Sequence, residues 1–148
     1  MISKYSKRFK CPCCGYPTLD EPAADDICVI CGWEDDGQGD SDADIVLGGP
    51  NGNLSLTQAR SNFQQYFVKY SPDNDTRITG KDTEEEVKIK RELIDVYDLL
   101  LSENDERELQ KIDAKIYYLE SMLHQITSRR IRDYVDRIKK GNQPTSPM

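Results

Sequence analysis

From residue 109 to 126 the apolar positions Leu109, Ile112, Ile116, Leu119, Leu123 and Ile126 recur in alternating steps of three and four. That spacing puts them on one stripe of an α-helix and holds a heptad seam for two and a half repeats. Beyond Ile126 the phase changes. Ile131, Tyr134, Val135 and Ile138 form a separate face before Gly141, which predicts a break near Thr127–Ser128 or a stutter. Upstream, Thr83 with Glu86 three residues on reads as a capping box. Val87, Ile94, Tyr97 and Leu101 follow as the apolar face of the helix it opens, widened by Leu93 and Leu100. Ser102 is the expected cap of the next helix, with Glu103, Asp105 and Glu106 favoured in its first turn by the helix dipole. The short join makes the two helices an antiparallel hairpin. A further box, Ser55 and Gln58, opens "SLTQARSNFQQYFVKYSP", where Ala59, Phe63, Tyr66, Phe67 and Tyr70 keep helical spacing until Pro72. This aromatic stripe is expected to pack on the N-terminal segment, with Trp33 and Leu47 as contacts.

That segment holds all five cysteines of the 148-residue chain. "CPCCG" sets Cys11 and Cys14 two residues apart, and "CVICG" repeats the unit with Cys28 and Cys31. Each C-x-x-C turn aims two thiolates at one point, and the glycine after it lets the chain leave in a conformation that a Cβ opposes. The 13 residues between Cys14 and Cys28 suit a zinc ribbon. The expected ligands are therefore Cys11, Cys14, Cys28 and Cys31 around one structural zinc. Iron in a rubredoxin-like electron carrier is the rival, but rubredoxins separate their turns by far more chain. Cys13 is left over, in the position that Ile30 holds in the second turn. It is read as a small hydrophobe, with a redox-sensitive thiol as the alternative.

Charge sharpens this picture. The net charge is -7, but residues 11–54 carry ten acids and no Lys or Arg, whereas residues 129–140 carry six basic residues against two acids. The acidic stretch would repel a phosphate backbone and steer a basic protein towards it. Glu34, Asp35, Asp36, Asp40, Asp42 and Asp44 are the candidate partner-binding residues. Asp40, Asp42 and Asp44 also fall in D-x-D-x-D order, but Ile45 and Asn51 stand where a calcium loop needs glycine and a bidentate Glu. The lone His124 has no Cys or acid at matching spacing and is expected to be an ordinary surface residue. With 36% hydrophobic and 32% charged residues the core is modest. No apolar run suits a signal peptide or a membrane span, so a cytoplasmic protein without membrane contact is expected.

The motifs "FKCPCCGYPTLDEP", "ICVICGWEDD" and "GQGDSDADIVLGGPNGNLSLTQARSNF" follow one another in an order that resembles the cysteine-rich CPCC family of bacterial proteins, over roughly residues 9–67. The resemblance implies a metal-binding bacterial cytosolic domain and supplies no catalytic residues. Residues 72–148 lie outside it.

Together these features predict a mainly α protein with a small zinc-ribbon-like β module at its N-terminus. Residues 1–70 would form that module with one packed helix, 71–82 a linker, 83–141 the hairpin with a further C-terminal helix, and 142–148 a disordered tail. The expected function is non-enzymatic: a zinc-bound interaction module, as an immunity or antitoxin-type inhibitor of a basic toxin. A homodimer through the hairpin is a further expectation. The alternative is a zinc-ribbon nucleic-acid-associated regulator, against which the acidic segment argues. An enzyme acting through Cys13 or the acidic loop would need an assembled constellation that the sequence lacks.

Overall fold

The computed structural model describes residues 3–141, so the tail expected at 142–148 lies outside them. The protein is mainly helical, with one small antiparallel sheet. Strands β1 (Phe9–Lys10) and β2 (Pro17–Leu19) pair with Phe9 opposite Leu19 and Lys10 opposite Pro17. Three α-helices follow: α1 (Leu56–Tyr66), α2 (Glu84–Ser102) and α3 (Glu106–Lys139).

Both capping boxes form. Ser55 Oγ accepts from Gln58 N at 3.0 Å while Gln58 Oε1 accepts from Ser55 N at 3.0 Å, and Thr83 and Glu86 exchange the same pair of bonds at 3.2 and 2.9 Å. Each box satisfies amides that a helix N-terminus would otherwise orphan. The ends depart from expectation. Ser102 is the last residue of α2 rather than a cap, and Asp105 caps α3 by accepting from Glu108 N at 3.1 Å. Residue 102 still belongs to the last turn of α2, where its hydroxyl donates back to the carbonyls of Asp98 and Leu99, three positions before the residue that caps α3. Helix α1 stops at Tyr66 because Phe67 turns left-handed, φ 62°, and its amide bonds back to Phe63 O. Tyr70 therefore lies off the helix, and the aromatic stripe ends early. Leu47, expected beneath it, is 51% exposed, whereas Trp33 is fully buried.

The buried face of α2 is Ile89, Leu93, Val96, Tyr97 and Leu100, while Leu101 points to solvent. The face is thus rotated from the one expected. Against it lie Ile112, Ile116, Leu119, Leu123 and Ile126 of α3, stepping four, three, four and three as in a heptad seam. Burying each such side chain contributes about 1.5–3 kcal/mol before chain entropy is subtracted. The ion pairs Glu85–Arg129 and Glu86–Arg130 tie the start of α2 to the far part of α3, and Tyr97 bonds Glu120 nearer the join. Helix α3 has no break at Thr127–Ser128. The change of phase marks the place where α3 runs past α2 and its apolar residues lose their partner.

The N-terminal module is locked onto these helices. Ser3 donates to Asp113, Arg8 pairs with Glu120 at 2.9 Å, and the Tyr16 ring stacks on Tyr97 at 5.7 Å. Residues 71–82 are also fastened. Arg77 bridges Asp75 and Asp82 at 2.5 and 2.6 Å, Asp82 holds the buried Lys90 at 2.6 Å, and Arg130 reaches the carbonyls of Thr79 and Lys81. Buried charges persist only when paired in this way.

Candidate metal centre

Two knuckles of near-identical hydrogen bonding build the site. In the first, Gly15 N bonds Cys11 O at 2.8 Å and Cys11 N bonds Tyr16 O at 2.9 Å. In the second, Gly32 N bonds Cys28 O at 3.0 Å and Cys28 N bonds Trp33 O at 2.9 Å. The glycines sit at φ 82° and 79°, a left-handed conformation that a side chain resists. The sequence unit C-x-x-C-G-aromatic is therefore one structural unit used twice.

The knuckles face each other. Cys11 and Cys31 Sγ lie 3.6 Å apart, as do Cys14 and Cys28 Sγ, and all four ligand atoms fall within 4.8 Å of one another. A tetrahedron of sulfurs 2.3 Å from a zinc ion has edges of about 3.8 Å. The donor set fits a metal ion. Cys11, Cys28 and Cys31 are buried and Cys14 is partly so, so the protein encloses most of the site.

Electrostatics points the same way. Burial pushes the Cys28 thiol up, but hydrogen bonds from Cys11, Cys14, Cys31 and Thr18 outweigh it and hold Cys28 well below the usual thiol value. Cys14 is held well above it by its hydrogen bonds to Cys11, Cys28 and Cys31 and by burial. Burial raises the Cys31 thiol as well, and Cys11, although its bond to Cys14 pulls the other way, is raised by hydrogen bonds to Cys28 and Cys31. A bound cation would let all four ionise.

Groups around the sulfurs hold them in place. Thr18 Oγ1 donates to Cys28 Sγ at 3.1 Å, Trp33 N to Cys31 Sγ at 3.4 Å, and Lys69 N to Cys31 O at 2.8 Å. None of the three was singled out in the sequence as a metal-site residue. Trp33 carried the only signal, as the aromatic after the second glycine. Cys13 is buried at 7% exposure but stands outside the four-sulfur cluster.

The acidic candidates separate into two kinds. Asp35 is 4% exposed, and its oxygens accept from Ala23 N at 2.7 Å and Gly37 N at 3.2 Å. Its carboxylate shapes the loop and cannot meet a partner. Asp36 accepts from Gln38 N, Asp40 pairs with Arg60 at 2.7 Å, Asp42 accepts from Gly39 N and Asp44 from Thr57 Oγ1. Each of Asp40, Asp42 and Asp44 thus has its own local partner, and among the described residues they do not gather into a metal-ligand group. Glu34 exchanges backbone bonds with the Asn51 side chain, and its half-buried side chain lies at the loop's start. His124 is exposed on α3.

The profile of the cysteine-rich CPCC family matches residues 9–79. These residues form a cysteine-rich CPCC module. The match reaches past α1 through Arg77, and so takes in part of the fastened link as well as the knuckles. No curated protein and no solved structure matches the chain. Among the described residues no helix is long and apolar enough to cross a membrane.

Proposed function

We propose that the chain is a non-enzymatic interaction protein whose CPCC module is clipped by one structural zinc ion. The observation that carries this is the enclosure of four converging sulfurs by two matched knuckles. A tetrathiolate zinc has no open coordination position with which to polarise a substrate or activate water. Cys11 and Cys14 come from the first knuckle and Cys28 and Cys31 from the second, so a metal there closes a zinc-ribbon-like loop. Its binding free energy becomes folding free energy for a segment with little regular structure. In this reading α2 and α3 form an antiparallel hairpin that serves as the platform for the module.

The partner side of the proposal rests on the loop of residues 34–47. It carries Glu34, Asp36, Asp40, Asp42 and Asp44, and beyond them Ile45, Val46 and Leu47 are all at least half exposed. An exposed apolar run that follows a series of carboxylates in the same loop suits a basic protein that offers an apolar face. An inhibitor of a basic toxin is one member of that class. The test is titration of the zinc-loaded chain with a synthetic amphipathic basic helix, followed by anisotropy. Saturable binding, lost when Asp36, Asp40 and Asp44 are changed to Lys in a variant that keeps its metal, is the expected result. Binding that ignores this reversal would remove the loop from the proposal.

A further inference from the structure

We infer that the basic partner of the acidic loop is the overhanging end of α3 on a second copy of this chain; the inference rests on the reading of the loop as a docking surface. The pairs Glu85–Arg129 and Glu86–Arg130 set the first turn of α2 beside Arg129 and Arg130. Residues 132–139 therefore continue past α2 for about 12 Å at 1.5 Å per residue. Ile131 at the root of this overhang and Val135 and Ile138 along it are 43%, 38% and 42% exposed. Together with the half-buried Tyr134 they follow i, i+3, i+4, i+7 spacing and form one stripe.

The charges around the stripe are ordered. At about 100° per residue, Arg132 and Lys139 flank it on one side and Arg137 on the other, while Asp133 and Asp136 fall on the back of the helix. An apolar stripe edged by cations calls for an apolar surface edged by acids. The run Ile45, Val46 and Leu47, 53%, 50% and 51% exposed, belongs to a loop that also carries Asp36, Asp40, Asp42 and Asp44, and offers both features on the same molecule. Gln38 Nε2 holds the loop in shape through Asp42 O at 2.8 Å and Ile45 O at 2.6 Å.

Both patches are exposed in one chain, so neither covers the other. Two copies can each set a loop on the other's overhang, making the same contact twice about a twofold axis. Packing two overhangs together instead would bring Arg132, Arg137 and Lys139 against their own kind, which disfavours it. The contact thus lies at the loop and the overhang rather than along the seam of α2 and α3, which is already filled.

Sedimentation of the zinc-loaded full chain, from low micromolar to near-millimolar concentration and at low and high salt, tests this. The expected result is a dimer that salt weakens. Arg132→Glu/Arg137→Glu/Lys139→Glu and Asp36→Lys/Asp40→Lys/Asp44→Lys, each checked for metal content and helicity, should both dissociate at least about tenfold more readily, as lost charge pairs at a close interface do. Mixed together they should form a heterodimer, because each reversed loop then meets a reversed overhang. Val46→Ser/Leu47→Ser should also weaken the dimer. A wild-type chain that stays monomeric, or a mixture that does not associate, overturns the inference. So does a dimer that ignores either reversal. If the chain is monomeric while the synthetic basic helix still binds the loop, the second copy is excluded and the loop reading stands. If neither assembly nor peptide binding responds to loop reversal, both fall.

Discussion

The CPCC module and the α2–α3 pair reach order by different routes. Helices α2 and α3 are held by two complete apolar seams, from Ile89 to Leu100 and from Ile112 to Ile126, where burial outweighs chain entropy. Residues 9–54 contain only five residues of strand and no α-helix, and the thiols of Cys11, Cys28 and Cys31 stand among their most deeply buried side chains. Such a segment converges on four sulfurs where the helices converge on leucine and isoleucine. A metal held there would supplement the small apolar core of Leu19, Ile30 and Trp33 that this segment buries. The two routes meet where Tyr16, directly after the first knuckle, stacks on Tyr97 of α2.

The sharpest way to break this contrast is to remove the metal. Chelation at neutral pH, or Cys28→Ser, should cost the module about 10 kcal/mol of metal-linked folding energy. Near-ultraviolet circular dichroism should lose the Trp33 signal while most of the far-ultraviolet helical signal persists. Collapse of both signals together would show that the module supports the helices rather than resting on them. The converse change, Leu119→Ala in the seam, should cost about 2–5 kcal/mol in urea unfolding and leave one metal per chain. Thr18→Val removes the hydroxyl that donates to Cys28 Sγ and should weaken metal affinity about tenfold, the lower end of such effects, in competition with a chromophoric chelator.

The smallest effect concerns the contact between the two regions. Burial, reinforced by a hydrogen bond to Asp98, pushes the Tyr16 phenol up to about 12, against about 10 in an unfolded chain. The neutral phenol is favoured in the folded state. Its contribution is complete below pH about 10 and is lost as the pH rises towards 12. Alkaline unfolding followed by circular dichroism should show this loss in the wild type and a flatter profile in Tyr16→Phe.

Much of the site was legible because its signals are local. C-x-x-C-G repeated with an aromatic after each glycine specifies a turn, its exit and its ligands within six residues, and the capping boxes at Ser55 and Thr83 are equally local. What escaped the sequence is of two kinds. Helix ends were missed where the deciding residue breaks a preference, as Phe67 does in the left-handed position that usually takes glycine. Docking was missed because it is decided by residues far apart in the chain: Arg8 with Glu120, Arg130 with Glu86, and Ser3 with Asp113. A periodic pattern shows that a helix has an apolar face. It does not show which turn of a partner ends opposite Arg130, and so it reads the overhang of α3 as a break.

The most direct measurement is metal content together with X-ray absorption at the metal edge on chain purified without added metal, for the wild type and Cys13→Ser. One zinc per chain in both, with four sulfur ligands at about 2.3 Å, is the predicted result. Loss of metal in Cys13→Ser, or iron in place of zinc, would contradict the assignment of Cys11, Cys14, Cys28 and Cys31 to a closed structural site.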